Sequence, residues 1–247
     1  MRGAVVPVLL IFIWEACARA GFVSSIVLPA PSAVARSWIA ALFSGELLQD
    51  TASSLYRVLF GFFVGAGLGL PLGLVMGARP RAYALLNPLI QVLRPIPPIA
   101  FIPLAILWFG LGNPPSVFLI SLGAFFPVLM NTMAGVRHVD GIYLRAALNL
   151  GANQATLFRR VMLPAAMPYI LAGMRIGMGT AFIVVIVSEM IAVNSGLGYR
   201  ILEAREFMWS DKVIAGMVTI GLVGLAIDSS MNRLSNHLLR WHRGLDH

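Results

Sequence analysis

The sequence has few charged residues and no recognisable nucleotide-binding motif. Only 11% of its 247 residues are Asp, Glu, Lys or Arg, whereas a soluble domain has roughly 25%. Hydrophobic residues make up 59% of the chain, which predicts an all-α integral membrane protein. The length allows five or six helices of the roughly 20 residues that cross a bilayer. It leaves no room for a nucleotide-binding domain, and no Gly-x-x-x-x-Gly-Lys-Ser/Thr run occurs.

Other scarcities exclude further classes of site. The single cysteine, Cys17, excludes an internal disulfide and a cysteine metal site. Three of the four histidines, His237, His242 and His247, lie in the polar tail without metal-ligand spacing. The net charge of +8 comes from arginines scattered singly between apolar runs, so nucleic acid is not a predicted partner. We find neither the close carboxylate pair nor the nucleophile arrangement that an intramembrane enzyme needs.

Six apolar segments are predicted to cross the membrane, which places both termini on one side. The segment boundaries are residues 4–18, 55–76, 84–109, 116–136, 168–193 and 213–230. The first segment could be a signal peptide, but it lacks a small-x-small cleavage site and Glu15 interrupts it. We therefore predict that it is retained as a helix. Residues 21–54 form a segment outside the membrane, with an amphipathic helix over 32–43.

The third apolar segment, residues 84–109, carries four prolines. Pro95, Pro97, Pro98 and Pro103 cannot all lie in a regular helix, because each costs roughly 3 kcal/mol in a helix interior. Irregular backbone at membrane depth is tolerated where it is buried in protein or lines a wet cavity. We therefore predict that part of a translocation path lies here. A buried kink without a pore is the alternative.

The second apolar segment carries glycines at every fourth position: Gly61, Gly65, Gly69, Gly73 and Gly77. Lipid provides no hydrophobic drive for helix association, so small residues allow backbones to approach closely. The pattern predicts a central helix that packs within or between subunits.

Charged residues inside the predicted spans are candidates for function. Arg94 is near the middle of the third span and either meets an anion or donates to carbonyls that the prolines free. Arg57 and Glu189 are near the same ends of their helices, where they could pair across a gate or extend separately towards water. Arg175 and Asp228 are predicted to form a structural ion pair.

A polar stretch, RAALNLGANQATLFRRVMLPAAMP, occupies residues 145–168 between strongly apolar segments. It predicts two short helices, residues 140–150 and 153–162, hinged at Gly151, with Pro164 ending the second.

An apolar pair, Leu157 and Phe158, adjoins Arg159 and Arg160 in the second helix. We predict that this pair is exposed to water beside the arginines and forms a docking surface. The alternative is an interfacial helix that lies on anionic lipid.

The stretch resembles the EAA loop of bacterial ABC-importer permeases. Arg145, Ala146 and Ala147 precede Gly151, and nine residues later an aliphatic-x-Leu-Pro pattern ends in Leu163 and Pro164. Arg145 stands where the family usually has Glu, whereas the Ala/Gly/Pro skeleton of the motif is present. The resemblance extends to the nitrate/sulfonate/taurine branch over LPAPSAV (28–34), SLYRVLFGF (54–62), QVLRPIPPIAFIPLAILWFG (91–110), FFPVLMNTMAGVR (125–137) and SEMIAVNSGLGY (188–199).

This resemblance implies a type I ABC importer (MetI-like) permease fold with six transmembrane helices. It further implies a homodimer in the lipid of the bacterial inner membrane, two cytoplasmic ATPase subunits that bind ATP and Mg²⁺, and an extracytoplasmic solute-binding protein. The chain itself would bind no cofactor and would not be an enzyme. The implied function is the uptake of a small anion. Residues 1–50 would hold the first helix, 51–235 the permease core with a coupling loop at 137–167, and 236–247 a basic tail.

Arginine placement supports that orientation. With the coupling loop inside, the inner segments contain only two clear acids, Asp140 and Asp246, against Arg2, Arg79, Arg81, Arg137, Arg145, Arg159, Arg160, Arg233, Arg240 and Arg243. In the outer segments, cationic and acidic residues balance. An ion-driven secondary transporter is the alternative, but it would need an inverted repeat and midplane acids, which the sequence lacks.

Overall fold

The computed structural model describes residues 5–240, and this part of the chain is helical. The helices are α1 (Val5–Arg19), α2 (Pro31–Phe43), α3 (Glu46–Ala78), α4 (Pro80–Leu93), α5 (Ile102–Phe109), α6 (Asn113–Arg137), α7 (Gly141–Asn149), α8 (Gln154–Leu157), α9 (Leu163–Ala192), α10 (Leu197–Glu206) and α11 (Ser210–Leu238). Arg2, His242, Arg243, Asp246 and His247 lie outside the described residues, as does most of the predicted tail at 236–247.

Four of the described helices are long and apolar enough to cross a membrane: α3, α6, α9 and α11. The pair α4 and α5 makes a fifth if it counts as one span, bent by 80° at its break. The 15 residues of α1 fall short of the roughly 20 that a span needs. The sixth span therefore remains a prediction.

The core consists of α3, α6 and α9, with α6 packed between the other two. The glycine stripe of α3 lies against α6. A Cβ placed on Gly73 would be 2.7 Å from the Leu129 carbonyl oxygen, and one on Gly69 would be 2.8 Å from that of Phe125. Gly61, Gly65 and Gly77 are equally crowded by α6. Since no side chain fits at these positions, the two backbones approach as closely as the stripe predicts.

Glycines also allow close packing between α6 and α9, which the sequence analysis did not predict. A Cβ on Gly177 would lie 3.1 Å from the Ala124 carbonyl oxygen, and one on Gly173 would lie 2.6 Å from Cβ of Asn131. Gly173 and Gly177 are four residues apart but form only one such pair, against the five glycines in register in α3, and the sequence analysis did not single them out. Glycine thus brings both neighbours close to α6.

The predicted amphipathic helix at 32–43 is confirmed as α2, whereas two boundaries on either side of the core were wrong. The second apolar segment was predicted to begin at residue 55, but α3, the helix that contains it, already begins at Glu46. Asp50 and Ser54, in the part of α3 before residue 55, are buried against α10, a helix that was not predicted. Burial of polar side chains by a distant segment cannot be read from local sequence.

The prediction that Pro164 ends a helix at residue 162 was also wrong. After α8 the chain makes a π-helical turn, Phe158–Met162, and continues directly into α9. Pro164 lies in the first turn of α9, where a missing backbone N–H is tolerated. The wider π turn changes the local register, so the helix runs past the proline from Gln154 to Ala192.

Candidate functional site

The predicted coupling loop, residues 137–167, contains a turn between two capped helices, α7 and α8. The Asp140 carboxylate accepts a hydrogen bond from the Ile142 backbone N–H at 2.9 Å and so caps α7. The Asn153 side chain caps α8 through the Thr156 N–H at 2.8 Å. Between them Gly151 has a φ of +82°, a conformation that glycine adopts at little cost. The residue predicted as the hinge is therefore the point where the chain reverses.

The apolar surface of this loop is not where the sequence predicted it. Leu157 is buried, with 7% of its surface exposed, and Phe158 is half-buried in a cavity beside Leu74 and Val75 of α3. The reason is that α8 leads straight into α9, so its apolar side chains turn towards the protein body. The prediction that Leu157 and Phe158 are exposed was therefore wrong.

Exposed apolar side chains lie on α7 and at its end instead: Ile142, Tyr143, Leu148 and Leu150, the last with 88% of its surface exposed. Arg145 and Ala146 are exposed on the same helix, and Ala147 is half-buried. Leu163 packs into the cluster around Val136, whereas Pro164 is exposed.

The proline-rich break separates α4 from α5. Arg94 follows the last residue of α4, and a 3-10 turn at Pro98–Phe101 leads into α5, with Pro103 in its first turn. Pro95 and Pro97 are exposed. Residues of the break, α6 and α9 line an open cavity of about 380 Å³. Its lining consists of Arg94, Ile96, Pro98, Leu122, Gly123, Phe126, Pro127, Met130, Asn131, Ile176 and Thr180.

The Arg94 side chain is exposed in this cavity. Within residues 5–240, its guanidinium is within hydrogen-bond distance of neither a carboxylate nor a carbonyl. The Leu93 carbonyl, which Pro97 leaves without its usual helical donor, accepts instead from the Ile96 backbone N–H at 3.1 Å. The N–H donors of the Arg94 guanidinium therefore have no carboxylate or carbonyl partner among residues 5–240.

Arg57 and Glu189 form a buried ion pair within one chain. Their closest N–O distance is 2.6 Å, and 4% of Arg57 and 0% of Glu189 are exposed. Arg57 also donates to the Asn113 side chain at 2.7 Å and to the Ser195 carbonyl at 2.8 Å. Ser54 donates to Glu189 at 2.8 Å. The two charges are thus paired and enclosed, not extended separately towards water.

The same cluster caps the start of α10. The backbone N–H groups of Gly196, Leu197 and Gly198 donate to Asp50, Ser54 and Glu189 at 3.1, 2.9 and 3.0 Å. These are the amides that a helix leaves unpaired at its N-terminus. Side chains of α3 and α9 therefore hold α10 in place. The sequence analysis did not identify Asp50, Ser54, Asn113 or Ser195, because their partners are more than 50 residues away.

Arg175 and Asp228 lie as predicted in an ion pair, with two N–O contacts of 2.8 Å. Both side chains are about half exposed, 45% and 54%. The pair joins α9 to α11.

Comparison with known proteins places this architecture in a family. The family model described as "binding-protein-dependent transport system inner membrane component" matches residues 69–242. A putative aliphatic sulfonates transport permease protein, SsuC of Bacillus subtilis, is 39% identical over 246 residues, which cover 100% of this chain and 89% of SsuC. The taurine transport system permease protein TauC of Escherichia coli is 35% identical over 238 residues, 94% of this chain and 86% of TauC.

The fold agrees with a solved transporter. A chain of the MetNI methionine ABC transporter in inward-facing conformations superposes with a TM-score of 0.66 at 18% identity, over 75% of this chain and 92% of that one. At this identity the likeness concerns the fold alone. The family model and the sequence matches together show that the chain belongs to the inner-membrane permease components of binding-protein-dependent ABC importers.

Proposed function

We propose that this permease imports a small anion, a sulfonate, taurine or nitrate-like solute, through the cavity beside Arg94. The observation that carries the proposal is the free guanidinium of Arg94 in a cavity at the helix break. A buried or membrane-depth arginine costs at least about 2.5 kcal/mol unless it meets water or a countercharge. A passing anion supplies that countercharge. The named relatives, permeases for aliphatic sulfonates and for taurine, support the same class.

The working assembly is a homodimer with two cytoplasmic ATPase subunits and a solute-binding protein on the other side of the membrane. ATP and Mg²⁺ are bound by the ATPases, since this chain lacks a phosphate-binding loop. Both termini and the coupling loop face the cytoplasm, which the arginine distribution supports. The exposed side chains of α7 contact the ATPase, because they form an apolar surface beside Arg145.

The continuous backbone from α8 to α9 suggests how closure of the ATPases changes access to the cavity. A displacement of the coupling loop passes through the π turn into α9, which lines the cavity with Ile176 and Thr180. Because α9 packs closely on α6, the two helices shift together. The cavity then opens alternately to either side.

The test is anion uptake by the complete transporter in proteoliposomes. Arg94→Gln is expected to keep assembly and ATPase stimulation by the binding protein, yet to lower anion flux at least tenfold, with Arg94→Lys intermediate. Arg81→Gln, at an exposed position on the same helix, serves as the control and should transport normally. Undiminished flux through Arg94→Gln would refute the role of Arg94. Uptake driven by an ion gradient without ATP would refute the importer.

A further inference from the structure

We infer that the cavity beside Arg94 prefers organic anions with an apolar chain, such as alkanesulfonates, to zwitterions and to small inorganic anions. This preference rests on the anion-import function proposed above. The named relatives include permeases for both aliphatic sulfonates and taurine. The side chains that line the cavity distinguish between these two kinds of solute.

Charge is the first distinguishing property. Among the described side chains that line the cavity, Arg94 alone is charged. Two acids of the long helices are engaged elsewhere, Glu189 with Arg57 at 2.6 Å and Asp228 with Arg175 at 2.8 Å. A sulfonate group therefore finds a partner in Arg94. The ammonium group of taurine finds no carboxylate and is repelled by the guanidinium.

The apolar walls are the second property. Leu122, Phe126, Met130 and Ile176 line the cavity together with the ring of Pro98. Its volume of about 380 Å³ exceeds what nitrate or bicarbonate would fill, and it falls within the roughly 300–1,000 Å³ typical of small-molecule sites. A chain of several methylene groups can be buried against these walls, whereas an inorganic anion gains nothing from them.

Neutral donors are scarce beside Arg94. The Thr180 hydroxyl donates to the Ile176 carbonyl at 3.0 Å, and the Asn131 amide donates to the Pro127 carbonyl at 2.9 Å. Much of the hydrogen-bonding capacity of these side chains is therefore spent within their own helix. A strongly hydrated anion would lose more water contacts here than the cavity replaces.

An anionic lipid also carries a charged head on an apolar chain, so its chemistry fits the same cavity. The experiment therefore uses the permease–ATPase complex in nanodiscs, once with a zwitterionic lipid alone and once with added phosphatidylglycerol. The binding protein is omitted, so that its own selectivity does not contribute. Binding is measured by calorimetry for ethane-, butane- and hexanesulfonate, for taurine and for nitrate. Taurine and ethanesulfonate form a matched pair that differs by the amino group.

The expected affinity rises with chain length, by up to about fourfold for each buried methylene. Taurine should bind at least tenfold more weakly than ethanesulfonate, and nitrate more weakly still. Arg94→Gln should lower the affinity for all sulfonates at least tenfold. Phe126→Ala should flatten the dependence on chain length, whereas Phe60→Ala, at an exposed position outside the cavity, should not.

Equal affinities along the sulfonate series, tighter binding of taurine, or no binding of any probe would overturn the preference. Loss of all sulfonate binding in phosphatidylglycerol discs alone would assign the cavity to lipid, which also overturns it. Any of these results can occur in a transporter that still imports an anion with its binding protein. Failure of the preference is thereby separated from failure of the proposed function.

Discussion

At the scale of single residues, Arg57 and Glu189 form an ion pair whose side chains are both buried. Removing one member of such a pair costs about 3–5 kcal/mol, because the other charge is left enclosed without a partner. Glu189→Leu would also leave the Ser54 hydroxyl and the Gly198 amide without their acceptor. We therefore expect this variant to be strongly destabilised.

Thermal unfolding of the detergent-solubilised permease checks this expectation. The control is Glu203→Leu, which breaks the contact with Arg200 at 3.1 Å between side chains that are about one-third exposed. Exposed pairs contribute roughly 0–1 kcal/mol, so the control should unfold near the wild-type temperature. Equal decreases in unfolding temperature for the two variants would show that the buried pair stabilises the fold no more than the exposed pair does.

At the scale of elements, α7 and α8 differ in exposure although both belong to the predicted coupling loop. Leu150 is 88% exposed at the end of α7, whereas Leu157 is 7% exposed in α8. Leu150→Asp is expected to leave folding intact and to lower association with the ATPase at least tenfold, because it places a charge in an apolar contact. Leu157→Asp is expected to lower stability itself, since it buries a carboxylate.

Co-purification of the ATPase and thermal unfolding, measured on both variants, separate these outcomes. Full association of the Leu150→Asp permease would show that α7 is not the contact surface. Normal stability of Leu157→Asp would show that the side chain is not part of the folded core.

The elements also show what local sequence can specify. The α2 and α7 helices, the reversal at Gly151 and the break at Pro97 and Pro98 were predicted, because caps, glycine and proline act within a few residues. The α10 helix and the continuation past Pro164 were not. They depend on side chains contributed by α3 and on a π turn, neither of which leaves a periodic pattern.

The Arg94 cavity illustrates the same limit within the candidate site. The sequence indicated the cation and the proline break, which are neighbours along the chain. It did not indicate the walls, because Phe126 and Ile176 come from two other helices. Which side chains surround Arg94 is a property of the packing of α6 against α9.

At the scale of the whole molecule, the orientation in the membrane remains a prediction. With Cys17 replaced by Ser, single cysteines at Asn149 and Asn194 would be probed in intact cells by an impermeant thiol reagent. Both positions are exposed, at opposite ends of the α8–α9 segment. Asn194→Cys is expected to react and Asn149→Cys to react only after permeabilisation. The reverse pattern would invert the topology.

The helix from Gln154 to Ala192 has a mechanical consequence. Its 39 residues, at a rise of about 1.5 Å each, correspond to a rod of roughly 58 Å. Tilting such a rod by one degree about one end displaces the other end by roughly 1 Å. Glu189, near its far end, is bonded to the first turn of α10. A tilt of a few degrees that begins at the Gln154 end would thus carry α10 sideways by several ångströms without bending the rod, and α3 would have to move with it for the Arg57–Glu189 pair to stay closed.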